Sequence, residues 1–327
     1  MQPRPLGATG LRVTPVGLGL AALGRPAYID LGRDADLGPA RDVEALERRC
    51  HQVLDAAFAA GVRYLDAARS YGRAEEFLAS WLRSRDLDPS EVTVGSKWGY
   101  TYVGDWRMDA DTHEVKDHSL PALTRQAAET RALLGDHLDL YQIHSATLDS
   151  GVLEDRPVLD ELTRLRDQGV AIGLSASGPA QAATIRRALE LTTAGKAPFA
   201  CVQATWNLLE PSAGPALAEA GQGGWGVVVK EAVANGRLTP HGRDPATQVL
   251  ARIAATHDVG VDAVALAAVL ANPWAGVVLS GAVTPAQLES NLAAPQVELH
   301  AAELEELAAL AEPPDQYWRH RATLSWS

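Results

Sequence analysis

The stretch Tyr64 to Gly72 reads Y-L-D-A-A-R-S-Y-G, and the rest of the chain is read outward from it. It opens on an apolar pair, Tyr64 and Leu65, and closes on Gly72 ahead of a charged helix start at Arg73, Glu75 and Glu76. Asp66 therefore stands at a strand end, with Tyr71 in the loop that follows. A buried carboxylate is unfavourable in its charged form unless a cation answers it. A tyrosine with a pKa near ~10 is a poor proton donor at neutral pH unless its surroundings lower that value. One lysine between the two would meet both needs. The pattern thus asks for a lysine at the end of another strand.

On either side of this stretch, strand-like and helix-like segments alternate. Val16 to Gly19 is the first strand and Arg41 to Ala60 a helix stopped by Gly61. Strand Tyr64 to Ala67 precedes a helix near Arg73 to Ser84, and Val92 to Trp98 precedes Leu120 to Leu134. Leu138 to His144 precedes Pro157 to Gln168, and Ala171 to Ser175 precedes Ala180 to Leu191. Ala200 to Thr205 precedes Pro215 to Ala220, and Gly226 to Lys230 precedes two helices, Pro245 to Thr256 and Val261 to Ala271. Val277 to Ser280 precedes Pro285 to Ala293, and a last helix covers Ala301 to Ala311. Eight such units imply a parallel sheet closed into an α/β (β/α)8 TIM barrel, a single domain over residues 1–327. A small hairpin around Gly7 to Gly10 precedes it, and loops at the C-terminal strand ends are extended. The alternative is an open doubly wound sheet, for which Gly17, Gly19 and Ala22 offer G-x-G-x-x-A. That fingerprint must open a helix at once, and Gly24, Pro26, Gly32 and Pro39 prevent it.

Hydrophobic residues make up 46% and charged ones 21%, the balance of a soluble globular protein. A net charge of −12 with no basic run argues against nucleic acid or an anionic membrane as partner. Cys50 and Cys201 lack C-x-x-C spacing and suit a reducing compartment. The N-terminus has no apolar signal core. Val261 to Val283, broken by Asp262, Asn272 and Pro273, reads as a buried helix and strand. A cytoplasmic protein is expected, with a homo-oligomer left open.

In such a barrel the C-terminal strand ends meet at one mouth. Asp66 ends the second strand, Lys97 the third and His144 the fourth, and Tyr71 lies on the second loop. Singly, each has a structural reading: Asp66 as a helix N-terminal carboxylate, His144 as a satisfied core histidine. Four together at one mouth point to chemistry.

With S-K-W-G at Ser96 to Gly99, D-L-Y-Q-I-H at Asp139 to His144, I-G-L-S at Ile172 to Ser175 and Q-A-T-W-N at Gln203 to Asn207, the chain resembles the aldo-keto reductase superfamily. The resemblance implies a nicotinamide-dependent carbonyl oxidoreductase, with an aldehyde or ketone, or a sugar lactol, as substrate. It makes Tyr71 the general acid, Lys97 the group that lowers the phenol pKa, Asp66 its ion-pair partner and His144 the group that orients the carbonyl. No metal is required. Hydride reaching a carbonyl carbon builds negative charge on oxygen, which calls for a proton donor and a positive field in a dry site.

By the same resemblance Trp206 stacks under the nicotinamide, and Gln203 and Ser175 bind its carboxamide. Gly19, Lys230, Gly281, Gln287 and Asn291 complete the cofactor side. Residue 176 is alanine where the family usually has asparagine, and Glu231 stands where a serine near the pyrophosphate is common. No Lys or Arg occurs from Ile253 to Trp318 to answer a 2′-phosphate. The family's habit favours NADP(H), and this local chemistry leans to NAD(H); NADP(H) is expected, with NAD(H) as the alternative. The long segment after Lys97 starts at the mouth, which makes Trp98, Tyr100, Tyr102 and Trp106 candidate pocket walls. The tail Tyr317 to Trp326 is a further candidate cover. The rival is a non-catalytic nucleotide sensor or regulatory subunit on the same barrel. Two hydrolase motifs fail. His113 and His118 are five apart, so they do not share a helix face. Gly173 to Ser177 lacks the closing glycine of a nucleophile elbow.

Overall fold

In a computed structural model, which describes residues 1–193, 195 and 197–326, the alternation closes on itself. The strands are β1 Arg4–Pro5, β2 Arg12–Val13, β3 Val16–Gly19, β4 Tyr64–Asp66, β5 Thr93–Trp98 and β6 Tyr100–Tyr102. They continue as β7 Glu114–Lys116, β8 Leu138–Ala146, β9 Ala171–Ala176, β10 Cys201–Thr205, β11 Gly226–Lys230 and β12 Val277–Ser280. The helices are α1 Arg33–Leu37, α2 Val43–Ala59, α3 Ala74–Ser84, α4 Leu120–Leu134, α5 Arg156–Asp167 and α6 Gln181–Leu189. After them come α7 Gly214–Gln222, α8 Pro245–His257, α9 Val261–Leu270, α10 Pro285–Leu292, α11 Ala301–Ala308 and α12 Pro314–Ala322.

The barrel runs β3-β4-β5-β8-β9-β10-β11-β12, every pair parallel, and β12 returns to β3 through Val278↔Val16 and Ser280↔Leu18. Its strands are nearly all buried because helices cover the outer face while side chains fill the interior. Helix starts follow local chemistry. Asp42, Ser119, Asp155, Asp244 and Thr284 accept from backbone N–H groups in the first turns of α2, α4, α5, α8 and α10. Proline opens α4, α5, α8, α10 and α12, where its missing N–H costs nothing.

The hairpin β1–β2 plugs the N-terminal end of the barrel. Leu6 and Val13 are fully buried against Tyr64, Leu140, Cys201, Val228 and Val277. Gly226 permits this, since a Cβ there would stand 2.6 Å from Leu6 Cγ.

Three elements depart from the sequence expectation. The segment from Gly99 to His118 contains the antiparallel pair β6–β7, α1 lies inside the Gly/Pro loop, and α12 occupies most of the tail. None has a sustained apolar period. Among the described residues, no single helix is long and apolar enough to cross a membrane.

Candidate active site

The C-terminal strand ends ring a cavity of about 330 Å³. Asp66, Tyr71 and His144 line it, and Lys97 lies fully buried beneath. Lys97 Nζ pairs with Asp66 Oδ1 and donates to the Ala67 carbonyl at 2.8 Å. Nζ also lies 4.8 Å from the Tyr71 ring centroid. Asp66 Oδ2 accepts from Gln203 Nε2 at 2.8 Å and from the Tyr64 hydroxyl at 3.2 Å. Gly95 clears the way for Tyr64, because a Cβ there would stand 2.6 Å from the phenol oxygen. The carboxylate is thus fixed from three sides, and its charge faces the lysine.

His144 owes its aim to a break in β8. The register with β9 shifts between Ile143 and Ala146, and Ser145 adopts φ 50°. The Ser145 N–H donates to Ser175 Oγ at 2.8 Å, which pins the bulge. The imidazole stands edge-on to Tyr71, with centroids 5.4 Å apart, and its Nδ1 is 3.3 Å from Ser70 Oγ. Burial, reinforced by Lys97, Lys230 and Arg25, drives its pKa well below the usual histidine value, so the ring is neutral.

The phenol behaves otherwise than the resemblance implied. Burial and then the Asp66 carboxylate raise the Tyr71 pKa well above its ordinary value, and Arg25 is the cation that opposes them. Burial also lowers the Lys97 pKa, against the pull of Asp66. Tyr71 is therefore held protonated, and its hydroxyl has no hydrogen-bond partner among the described residues. The four groups form a buried charge pair, a neutral imidazole and a free proton donor facing one space.

On the cofactor side, Gly19, Gln203, Lys230 and Gly281 line the cavity. Lys230 Nζ donates to Ser177 Oγ at 3.0 Å and Thr205 Oγ1 at 2.7 Å; burial lowers its pKa to about 8. Glu231 does not stand unanswered beside it. Arg321 of α12 meets its carboxylate at 2.5 Å, Lys230 at 3.8 Å, and Thr205 Oγ1 donates at 3.1 Å. Burial alone would raise the Glu231 pKa, but Arg321 and Lys230 outweigh it and hold the carboxyl at about 2.

Besides Lys97, seven sequence candidates are not among the residues that line the cavity, Tyr102 among them, which lies with Trp106 at a separate surface cleft. Side chains alternate along a strand, so with Lys97 turned inward Trp98 must turn outward. Trp98 is fully buried against His118 at 5.7 Å. The same parity sets Gln203 and Thr205 inward and sends Trp206 out to pack on Trp274 at 5.9 Å. Trp206 therefore does not face the space where a nicotinamide ring could stack. Trp106 packs on Phe77 of α3 at 6.2 Å and donates to the Arg41 carbonyl at 2.9 Å, away from the mouth. Gln287 is spent on the Val283 N–H (3.0 Å) and on Asp36 (2.6 Å). Asn291 is buried between Ser280 Oγ (2.6 Å) and Asp262 (2.5 Å). Ser175 holds Ser145 from below the cavity floor, and Tyr100 does line the wall, its ring 5.1 Å from that of His144.

The sequence reading missed Arg25, Tyr28, Glu114 and Ser177, all cavity-lining, and named the tail that carries Arg321 only as a candidate cover. They come from aperiodic loops, the hairpin and the tail. The basic, aromatic run Y-W-R-H-R was the one signal available. Trp326 closes the mouth, stacked on His113 at 4.2 Å and facing Arg25 at 4.9 Å.

Residues 15–312 match the model of the Aldo/keto reductase family. The chain belongs to this family. The fold is similar to that of the aldo-keto reductase AKR11C1 from Bacillus halodurans in its holo form, with a TM-score of 0.72 over 96% of this chain and 97% of that one, at 21% identity. In sequence it is similar to the uncharacterized oxidoreductase YqkF of Bacillus subtilis (strain 168), 28% identical over 165 residues, which are 50% of this chain and 45% of the relative. It is also similar to the pyridoxal 4-dehydrogenase of Microbacterium luteolum, 29% identical over 164 residues, 44% of this chain and 43% of the relative. The chain spans about half the length of the curated relatives it matches.

Proposed function

We propose that this family member is a nicotinamide-nucleotide-dependent oxidoreductase that interconverts an aldehyde or ketone with its alcohol, with Tyr71 as general acid and base. The observation that carries this reading is the free Tyr71 hydroxyl beside the buried Lys97–Asp66 pair and the neutral His144. When bound, the nucleotide supplies or takes the hydride. In reduction, Tyr71 gives its proton to the carbonyl oxygen as charge grows there, and Lys97 supplies the positive field that favours the resulting phenolate. The neutral His144 can meet the same oxygen without competing as an acid. Asp66 acts through Lys97 and is a positioning residue.

The residues present suit a nicotinamide nucleotide. Gln203 must turn Nε2 to the Asp66 carboxylate, which leaves Oε1 buried with no partner among the described residues. A carboxamide N–H₂ would satisfy it. Lys230 and Arg321 set two cations against the single carboxylate of Glu231, a balance that suits a diphosphate. By the family resemblance Gln287 belongs to the segment on the adenosine side of the nucleotide, and Asp36 accepts from it. A carboxylate there repels a 2′-phosphate and can accept from ribose hydroxyls, which favours NAD(H) over the NADP(H) expected from the sequence.

The test is a titration of the purified chain with NADH and NADPH, followed by a carbonyl screen with the tighter nucleotide, read from the near-ultraviolet absorbance of the reduced nicotinamide. Binding with turnover supports the reading. Binding with no turnover on any carbonyl, and a stoichiometric protein partner in a pull-down, would replace it with a sensor.

A further inference from the structure

Two charged side chains on the cavity wall have no direct role in that proton transfer, although Arg25 bears on the pKa of Tyr71 and of His144. Arg25, from the loop after β3, is 2% exposed. Its Nη1 donates to the Ser70 carbonyl at 3.2 Å and to Glu114 Oε1 at 2.5 Å, and its Nε to the Ala21 carbonyl at 3.3 Å. Its Nη2 has no partner among the described residues. Glu114, on β7, engages Oε1 alone and leaves Oε2 without a donor. Both side chains line the cavity, and the guanidinium carbon is 5.2 Å from the Tyr71 ring centroid. Tyr28 and Trp326 flank the guanidinium at 4.8 and 4.9 Å.

An unanswered arginine beside a reaction centre would point to an anionic substrate. This one is answered, because Glu114 cancels its charge where the two meet. What remains is a pair of strong N–H donors beside a strong acceptor, at almost no net charge. A carboxylate would be drawn by Arg25 and repelled by Glu114. A simple aldehyde would leave both groups under-bonded in a dry pocket. A hydroxyl donates and accepts at once, so it satisfies both.

We infer that Arg25 and Glu114 form a hydroxyl-recognition subsite beside Tyr71, so that the substrate is a carbonyl compound bearing a hydroxyl close to its carbonyl group. This rests on Tyr71 being the acid of a carbonyl reductase. The hydroxyl can belong to an aliphatic polyol or to a phenol, since the flanking rings of Tyr28, Tyr100 and Trp326 can pack on either.

Two substrate pairs test this on the wild-type chain with its nucleotide: DL-glyceraldehyde against propanal, and 2-hydroxybenzaldehyde against benzaldehyde. At least one hydroxylated member should exceed its partner in kcat/KM by about 10- to 100-fold, the range for one hydrogen bond to a charged group. The favoured pair identifies the source of the hydroxyl. In Glu114→Gln and Arg25→Lys the preference should shrink several-fold, chiefly through a higher KM for the hydroxylated member. Equal kcat/KM within both pairs, or a preference untouched in both variants, overturns the subsite and leaves the reductase standing. Turnover of none of the four overturns the reductase reading and this inference with it.

Discussion

Replacing Arg321 with methionine keeps much of the side chain's length and removes its charge from Glu231. The Glu231 carboxyl is 8% exposed and sits at about 2, against an ordinary 4.5. At ~1.4 kcal/mol per pH unit of displacement this amounts to about 3 kcal/mol of stabilisation at neutral pH. The folded value lies below the unfolded one, so the stabilisation is complete above about pH 4.5 and fades as pH falls toward 2. Arg321 is partly exposed and Lys230 remains, so the variant should lose about 2–3 kcal/mol at pH 7. For a chain of this length that is roughly 3–5 °C in Tm. At pH 3 the stranded carboxyl of the variant takes up a proton, while the paired one in the wild type largely does not. The gap between the two proteins should therefore narrow by about half between pH 7 and pH 3. Thermal melts followed by circular dichroism at both values provide the measurement. An equal loss at both pH values would show that Arg321 contributes packing and not charge, and no loss at pH 7 would refute the ion pair.

Two further outcomes follow from the same geometry. Asp66→Asn leaves Lys97 buried without its partner; it should cost about 3–5 kcal/mol of stability, seen in chemical denaturation, unless Lys97 gives up its proton. Trp326→Ala opens the mouth above Arg25 and should raise substrate KM several-fold with little change in Tm, because the residue packs outside the hydrophobic core.

Much of the barrel was legible because its strands are short apolar runs bounded by glycine, proline and charge. The strands Gly226–Lys230 and Val277–Ser280 and the helix Leu120–Leu134 fall on the residues expected. Strand ends also gave Asp66, Lys97 and His144, since a charged or polar residue closing an apolar run stands out. The same reading erred on Trp98 and Trp206. Both sit one residue past an inward-facing group, and a one-residue step reverses the face. Tryptophans near a mouth attract attention by type, but parity decides where they point. Arg25, Glu114 and Arg321 were out of reach for another reason. They meet through contacts between segments far apart in sequence, and no local period marks a loop residue that a distant tail will cover.

The claim on which the account turns is that Tyr71 delivers the proton. In Tyr71→Phe the ring, the Lys97–Asp66 pair and the His144 contact can persist, and only the hydroxyl is lost. Turnover and nucleotide affinity of this variant should be measured side by side. The account predicts a kcat lower by about 10²–10⁴-fold, the worth of a positioned general acid, with nucleotide binding nearly unchanged. Turnover close to that of the wild type would contradict it.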